Sequence, residues 1–109
     1  MSSFDPMGAA LDWLDAYRAR DISIIDLYAG NATLECNCHS QSTVGRAALY
    51  KYWRQRFAEK PAGALAALTT NGDEVMISYA VPDGIERASF KFNDHGKIIH
   101  CQCGLLMPE

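Results

Sequence analysis

The sequence predicts an α+β fold: three helices from the first half of the chain cover one face of an antiparallel sheet drawn mostly from the second half. Two patterns carry this expectation. Before residue 60, apolar residues recur at helical spacing, and after residue 64 three turn signals separate four apolar runs. The 109 residues suit one domain, 1–109, with one core. Apolar residues make up 49% of the chain and charged residues 21%, a globular composition rather than a disordered one.

Asp5-Pro6 opens the first helix, with Asp as the cap and Pro at the first helical position. Leu11, Leu14 and Arg18 lie along one stripe, and Ala10, Trp13 and Tyr17 along the next, predicting an amphipathic helix to about Arg20. Asp21 or Ser23 caps a second, shorter helix carrying Ile24, Ile25, Leu27 and Tyr28, and Gly30-Asn31 ends it. Residues 32–38 alternate as a strand, and Ser40-Gln41-Ser42 has turn chemistry. A third helix runs from Arg46 to about Lys60, stopped by Pro61. Its Leu49, Trp53 and Phe57 share one face, with Lys51, Arg54 and Arg56 mostly on the other. Asn71-Gly72-Asp73, Pro82-Asp83-Gly84 and Asn93-Asp94-His95-Gly96 then separate strands at about 65–70, 75–81, 85–92 and 97–107, an antiparallel meander.

A net charge of −3 does not supply the basic face that nucleic acid needs. Runs such as Ala64–Leu68 are far shorter than the roughly 20 residues of a membrane span. The N-terminus has neither the basic nor the hydrophobic region of a signal peptide, so a cytoplasmic location with reduced cysteines is expected.

Leu27–Glu35, Val44–Leu49 with Tyr52-Trp53, and Phe90–Ile99, in order and on the expected elements, resemble three motifs of the nuclear transport factor 2-like superfamily, closest to its ketosteroid isomerase and SnoaL-like polyketide cyclase branches. Leu27-Tyr28-Ala29-Gly30-Asn31-Ala32-Thr33-Leu34-Glu35 is similar to the L-[FY]-A-x-[DN]-A segment. Val44-Gly45-Arg46-Ala47-Ala48-Leu49 with Tyr52-Trp53 is similar to the start of the family's third helix, and Phe90–Ile99 to its F-x-F-x-x-x-G-K-[IV] hairpin. The resemblance implies a cone, cystatin-like in fold, whose helices pack into the concave side of a curved sheet around a deep pocket. It leaves isomerase, cyclase or lyase chemistry and plain binding all open.

The isomerase branch uses an aspartate base, a helical tyrosine and a protonated acid. Carried onto this sequence, those positions fall on Cys36, Trp13 and Ala88. All three are replaced, and the isomerase mechanism is not expected. Glu35 and Cys36 are the candidates for a catalytic group, with strand alternation placing Glu35 on the face opposite Cys36. Glu86 shares the face of Ala88, which would let it reach the pocket mouth, but the favoured reading is a solvated residue beside the turn at Asp83-Gly84.

The remaining unusual feature is Glu35-Cys36-Asn37-Cys38-His39 against His100-Cys101-Gln102-Cys103. Each C-x-C on a strand presents both sulfurs on one face, and the fold implied by the resemblance sets the first and last strands side by side or nearly so. Small, polarizable wall residues are the favoured reading. Zinc favours C-x₂₋₄-C, because sulfurs about 6–7 Å apart on a flat strand do not meet a tetrahedral ion. A redox or nucleophilic Cys36 would need a nearby cation or helix N-terminus. No metal and no cofactor are expected. The expected ligand-pocket wall is Trp13, Tyr17, Tyr28, Cys36, Cys38, Trp53, Phe57, Ala88, Phe90, Cys101, Cys103 and Leu105. Such a wall suits a small, flat, hydrophobic cyclic or polyketide-like compound. The alternative is a non-catalytic dimerisation or protein-interaction module, with a homodimer formed through the outer sheet face, where Met76 joins Val75 and Ile77 in an apolar run.

Overall fold

The structure, a computed structural model, describes residues 5–36 and 41–108, with the backbone alone for Cys36, Gln41 and residues 105–108. Helix α1 (Pro6–Arg18) is followed by a 3₁₀ segment (Ile22–Leu27), β1 (Tyr28–Cys36), β2 (Gln41–Val44) and α2 (Arg46–Glu59). The chain then runs through β3 (Leu65–Asn71), β4 (Glu74–Val81), β5 (Gly84–Phe92) and β6 (Ile98–Pro108). The six strands form one curved, unclosed sheet in the order β2-β1-β6-β5-β4-β3. No helix is long and apolar enough to cross a membrane among the described residues.

The meander follows the expected turns, and four local readings change. The second helix is a six-residue 3₁₀ turn, capped by the Asp21 carboxylate, which accepts from the Ser23 amide at 3.0 Å. Three isoleucines in so short a segment give little α propensity. Gly30-Asn31 does not end a helix. It lies inside β1, where the pairing with β6 shifts register between Tyr28 and Thr33, so the glycine marks a strand irregularity. Gln41 and Ser42, part of the stretch with turn chemistry, begin an edge strand over Gln41–Val44 that runs antiparallel to β1. The sheet is also not wholly antiparallel: β1 and β6 run parallel. A parallel pair needs a long crossover, and here β2, α2 and β3–β5 supply it.

Helix α1 begins with the Asp5 carboxylate accepting from the Met7 amide at 3.2 Å. It ends in a Schellman arrangement, with Arg20 N–H on the Tyr17 carbonyl and Asp21 N–H on the Ala16 carbonyl. The left-handed position is held by Arg20 at φ 57°, where glycine is usual. Arg20→Gly is therefore expected to raise stability by about 1 kcal/mol in urea denaturation, because a left-handed non-glycine residue costs roughly that much. An unchanged or lower midpoint would contradict this reading of the cap. At the other helix, Gly45 at φ 91° turns the chain from β2 into α2.

Register alone sorts the two sheet faces. One continuous row runs Thr43, Leu34, Cys101, Phe90, Val75 and Thr70 across all six strands. The next row on that face holds Cys36, Cys103, Ala88, Ile77 and Leu68, followed by the pair Glu86 and Tyr79. The described side chains here are buried, apart from Thr70 at the β3 edge and half-buried Leu68, and helices α1 and α2 cover this face. The opposite face carries Ser42, Glu35, Gln102, Ser89, Met76 and Thr69 in one row.

Candidate functional site

Aromatic rings fill the space between the helices and β4–β5. Trp13 of α1 meets Tyr17, Trp53, Tyr79 and Phe90 edge-on or tilted, with ring centroids 4.8–5.6 Å apart. Tyr17 stands 4.9 Å from Trp53, and Trp53 5.7 Å from Phe57. Such edge-to-face contacts add to the area that the rings bury. Of the expected wall, Trp13, Tyr17, Tyr28, Trp53, Phe57, Ala88, Phe90, Cys101 and Cys103 are brought together and buried. Cys38 lies outside the described residues, and Cys36 and Leu105 are described by backbone alone. Glu35 stands on the far face, where its Oε1 lies 2.7 Å from His100 Nε2.

Two polar chains run through this interior. Trp13 Nε1 donates to Tyr28 Oη at 3.0 Å, and Tyr28 Oη donates to Cys101 Sγ at 3.8 Å. The Trp13 indole donor is thus held by Tyr28. The second chain was not foreseen. Arg56 pairs with Glu86, which is fully buried, and Tyr79 Oη donates to Glu86 Oε1 at 2.7 Å. Arg56 Nε donates to Tyr17 Oη at 2.9 Å, and Tyr17 Oη donates to the Lys60 carbonyl at 2.5 Å. Lys60 Nζ stands 3.7 Å from Glu86 Oε2 and 3.3 Å from Asp83. The Arg56 guanidinium also lies over the Tyr52 ring, 5.9 Å from its centroid. Tyr52 Oη is 3.6 Å from Cys103 Sγ, linking this cluster to β6.

Two sequence readings are corrected here. Arg56 is not on the solvent face of its helix, because it follows Trp53 by three residues and so turns toward the same buried side. Glu86 is not solvated beside its turn. The alternation that puts Ala88 and Phe90 inward puts Glu86 inward too, and Arg56 with Tyr79 makes that burial tolerable. The period-two signal was present, and the usual exposure of a charged residue near a turn masked it.

Burial opposes the charged form of Arg56, but the surrounding Tyr52, Tyr17, Cys103 and Tyr79 outweigh it and hold its pKa above the ordinary value. Tyr28 is pushed well above its ordinary value by burial and then by Cys101. Tyr79 is pushed the same way by burial and then by Tyr17. A phenol whose folded pKa is raised contributes stability below its unfolded value of about 10, and that stability is lost as pH rises through the folded value. Absorbance titration near 295 nm should show Tyr28 and Tyr79 ionising only together with loss of the circular-dichroism signal. Smooth ionisation of every tyrosine near pH 10, with the fold intact, would contradict this.

Trp53, buried to 1% exposure, has an indole N–H without a hydrogen-bond partner. A buried unpaired donor costs about 1–3 kcal/mol. Beside the aromatic interior, an open groove of about 500 Å³ runs between β2 and α2, with Thr43, Lys51, Tyr52 and Gln55 in its lining. Tyr52 belongs to both, lining the groove and reaching Cys103.

No protein-family model matches the sequence, and no curated protein does. Among solved structures, the chain is similar to a SnoaL-like protein of unknown function from Burkholderia thailandensis. The two share 20% identity over 86% of this chain and 88% of that one, with a TM-score of 0.75. At that identity the likeness concerns the path of the backbone. The chain has a SnoaL-like fold, the nuclear transport factor 2-like architecture to which its three sequence motifs point.

Proposed function

We propose that the concave side of the sheet binds, and in that place can transform, a small flat apolar cyclic compound, without the catalytic groups of the isomerase branch. The observation that carries this reading is the Arg56–Glu86 pair, held out of water beside Tyr52, Cys103 and the aromatic cluster. A buried ion pair seldom stabilises a fold better than well-packed apolar residues would, so packing alone does not account for it. Apolar surroundings with a few convergent polar groups are what a small-molecule site requires. Approach is from the groove at Tyr52. In the cytoplasm, the location this reading adopts, Cys101 and Cys103 stay as thiols.

A size-graded panel of flat cyclic compounds tests the reading by calorimetry and thermal melting. The expected result is saturable one-to-one binding with a raised melting temperature, weakened in Tyr52→Ala. A panel in which no member binds would remove the proposal.

A second reading, self-association through the outer sheet face, draws on Val44 at 58% and Ile99 at 39% exposure. Val44 shares a register row with Thr33 and His100. Sedimentation should then show a dimer at micromolar concentration that Val44→Glu disperses, and a monomer throughout would end this reading.

A further inference from the structure

We infer that the compound taken by this interior carries a hydrogen-bond acceptor oxygen, a carbonyl or ether, and that Trp53 Nε1 donates to it. The inference rests on the small-molecule reading above and adds the chemistry of one ligand group. Among the described residues, Trp53 Nε1 is the buried side-chain nitrogen or oxygen atom with no hydrogen-bond partner. The other indole makes the contrast: Trp13 Nε1, equally buried, is taken by Tyr28 Oη. Native interiors rarely leave a donor of this kind unmatched, and an indole N–H has no second role to fall back on, since it donates and never accepts.

The placement is what a ligand donor needs. Trp53 is ringed by Tyr52 at 5.3 Å, Tyr17 at 4.9 Å and Trp13 at 5.6 Å between centroids, so its surroundings are flat, apolar and suited to a ring system. The Arg56 guanidinium lies over the Tyr52 and Tyr17 rings, at 5.9 and 6.0 Å from their centroids. Tyr52 lines the groove and packs edge-on against Trp53, so a compound that enters past Tyr52 comes to an indole donor in a region where water does not compete for its oxygen. There, a site built to hydrogen-bond an oxygen discriminates against the analogue that lacks it.

The test compares 1-tetralone with tetralin, the same skeleton with and without a carbonyl. Calorimetry on the native protein should show the ketone binding about tenfold more tightly, and Trp53→Phe should reduce that ratio below about threefold. Because Trp53→Phe alters the core, indole-¹⁵N spectra of the native protein provide an independent reading. Saturating tetralone should move the Trp53 Nε1–H resonance downfield and leave that of Trp13 in place, while tetralin moves neither in that direction. Equal binding of the two compounds, or a Trp53 indole resonance unmoved by bound tetralone, overturns the inference and leaves the small-molecule reading standing. If neither compound binds and the wider panel is also silent, both fall together.

Discussion

Glu86→Leu is expected to cost about 3–5 kcal/mol, a large share of the 5–15 kcal/mol that holds a typical domain folded. The substitution removes the carboxylate that matches Arg56 and accepts from Tyr79, leaving a guanidinium buried without that charge. Arg56→Met should cost less, because Lys60 Nζ already stands 3.7 Å from Glu86 Oε2 and can move toward it. The double variant Arg56→Met/Glu86→Leu should recover most of the loss, since neither charge then remains. Urea denaturation of the four proteins gives the cycle directly. Single-variant losses that simply add in the double variant would show that the two residues act independently, against the geometry described here.

The second large effect is at Trp13. Trp13→Ala removes the ring that touches Tyr17, Trp53, Tyr79 and Phe90 and takes away the donor to Tyr28 Oη. A loss of about 3–5 kcal/mol is expected from the transferred surface and the cavity left behind. Leu11→Ala, two residues away on the exposed side, should change stability by less than about 1 kcal/mol. The pair separates burial from helix propensity, because both substitutions place alanine, the best helix former, in the same helix. Equal losses at the two positions would contradict the assignment of the α1 face.

Much of this architecture is legible in the sequence because its signals are local. The turns at Asn71-Gly72, Pro82-Asp83-Gly84 and Asn93–Gly96 need particular backbone conformations, and β3–β6 begin and end beside them. Leu49, Trp53 and Phe57 fix the inner face of α2 by spacing alone. What could not be read depends on partners distant in sequence. Gln41–Val44 becomes a strand because β1 offers it an edge, although Gln41-Ser42 alone has turn chemistry. Gly30-Asn31 looks like a helix end until β6 pairs across it. Arg56 and Glu86 are thirty residues apart; periodicity turns each inward, but only the other beside it makes a buried charge tolerable. The candidate site was therefore half visible: its rings and thiols follow from periodicity, and the pairing of its two charged groups does not.

Chemical-shift mapping of the native protein with saturating 1-tetralone tests the central claim most directly. Shifts should concentrate at Tyr52, Trp53, Arg56, Glu86 and Cys103, on the concave side. Shifts confined to Glu35, Met76, Ser89 and Gln102 on the outer face, or no shifts with tetralone or any compound of the wider panel, would contradict a ligand site within the fold.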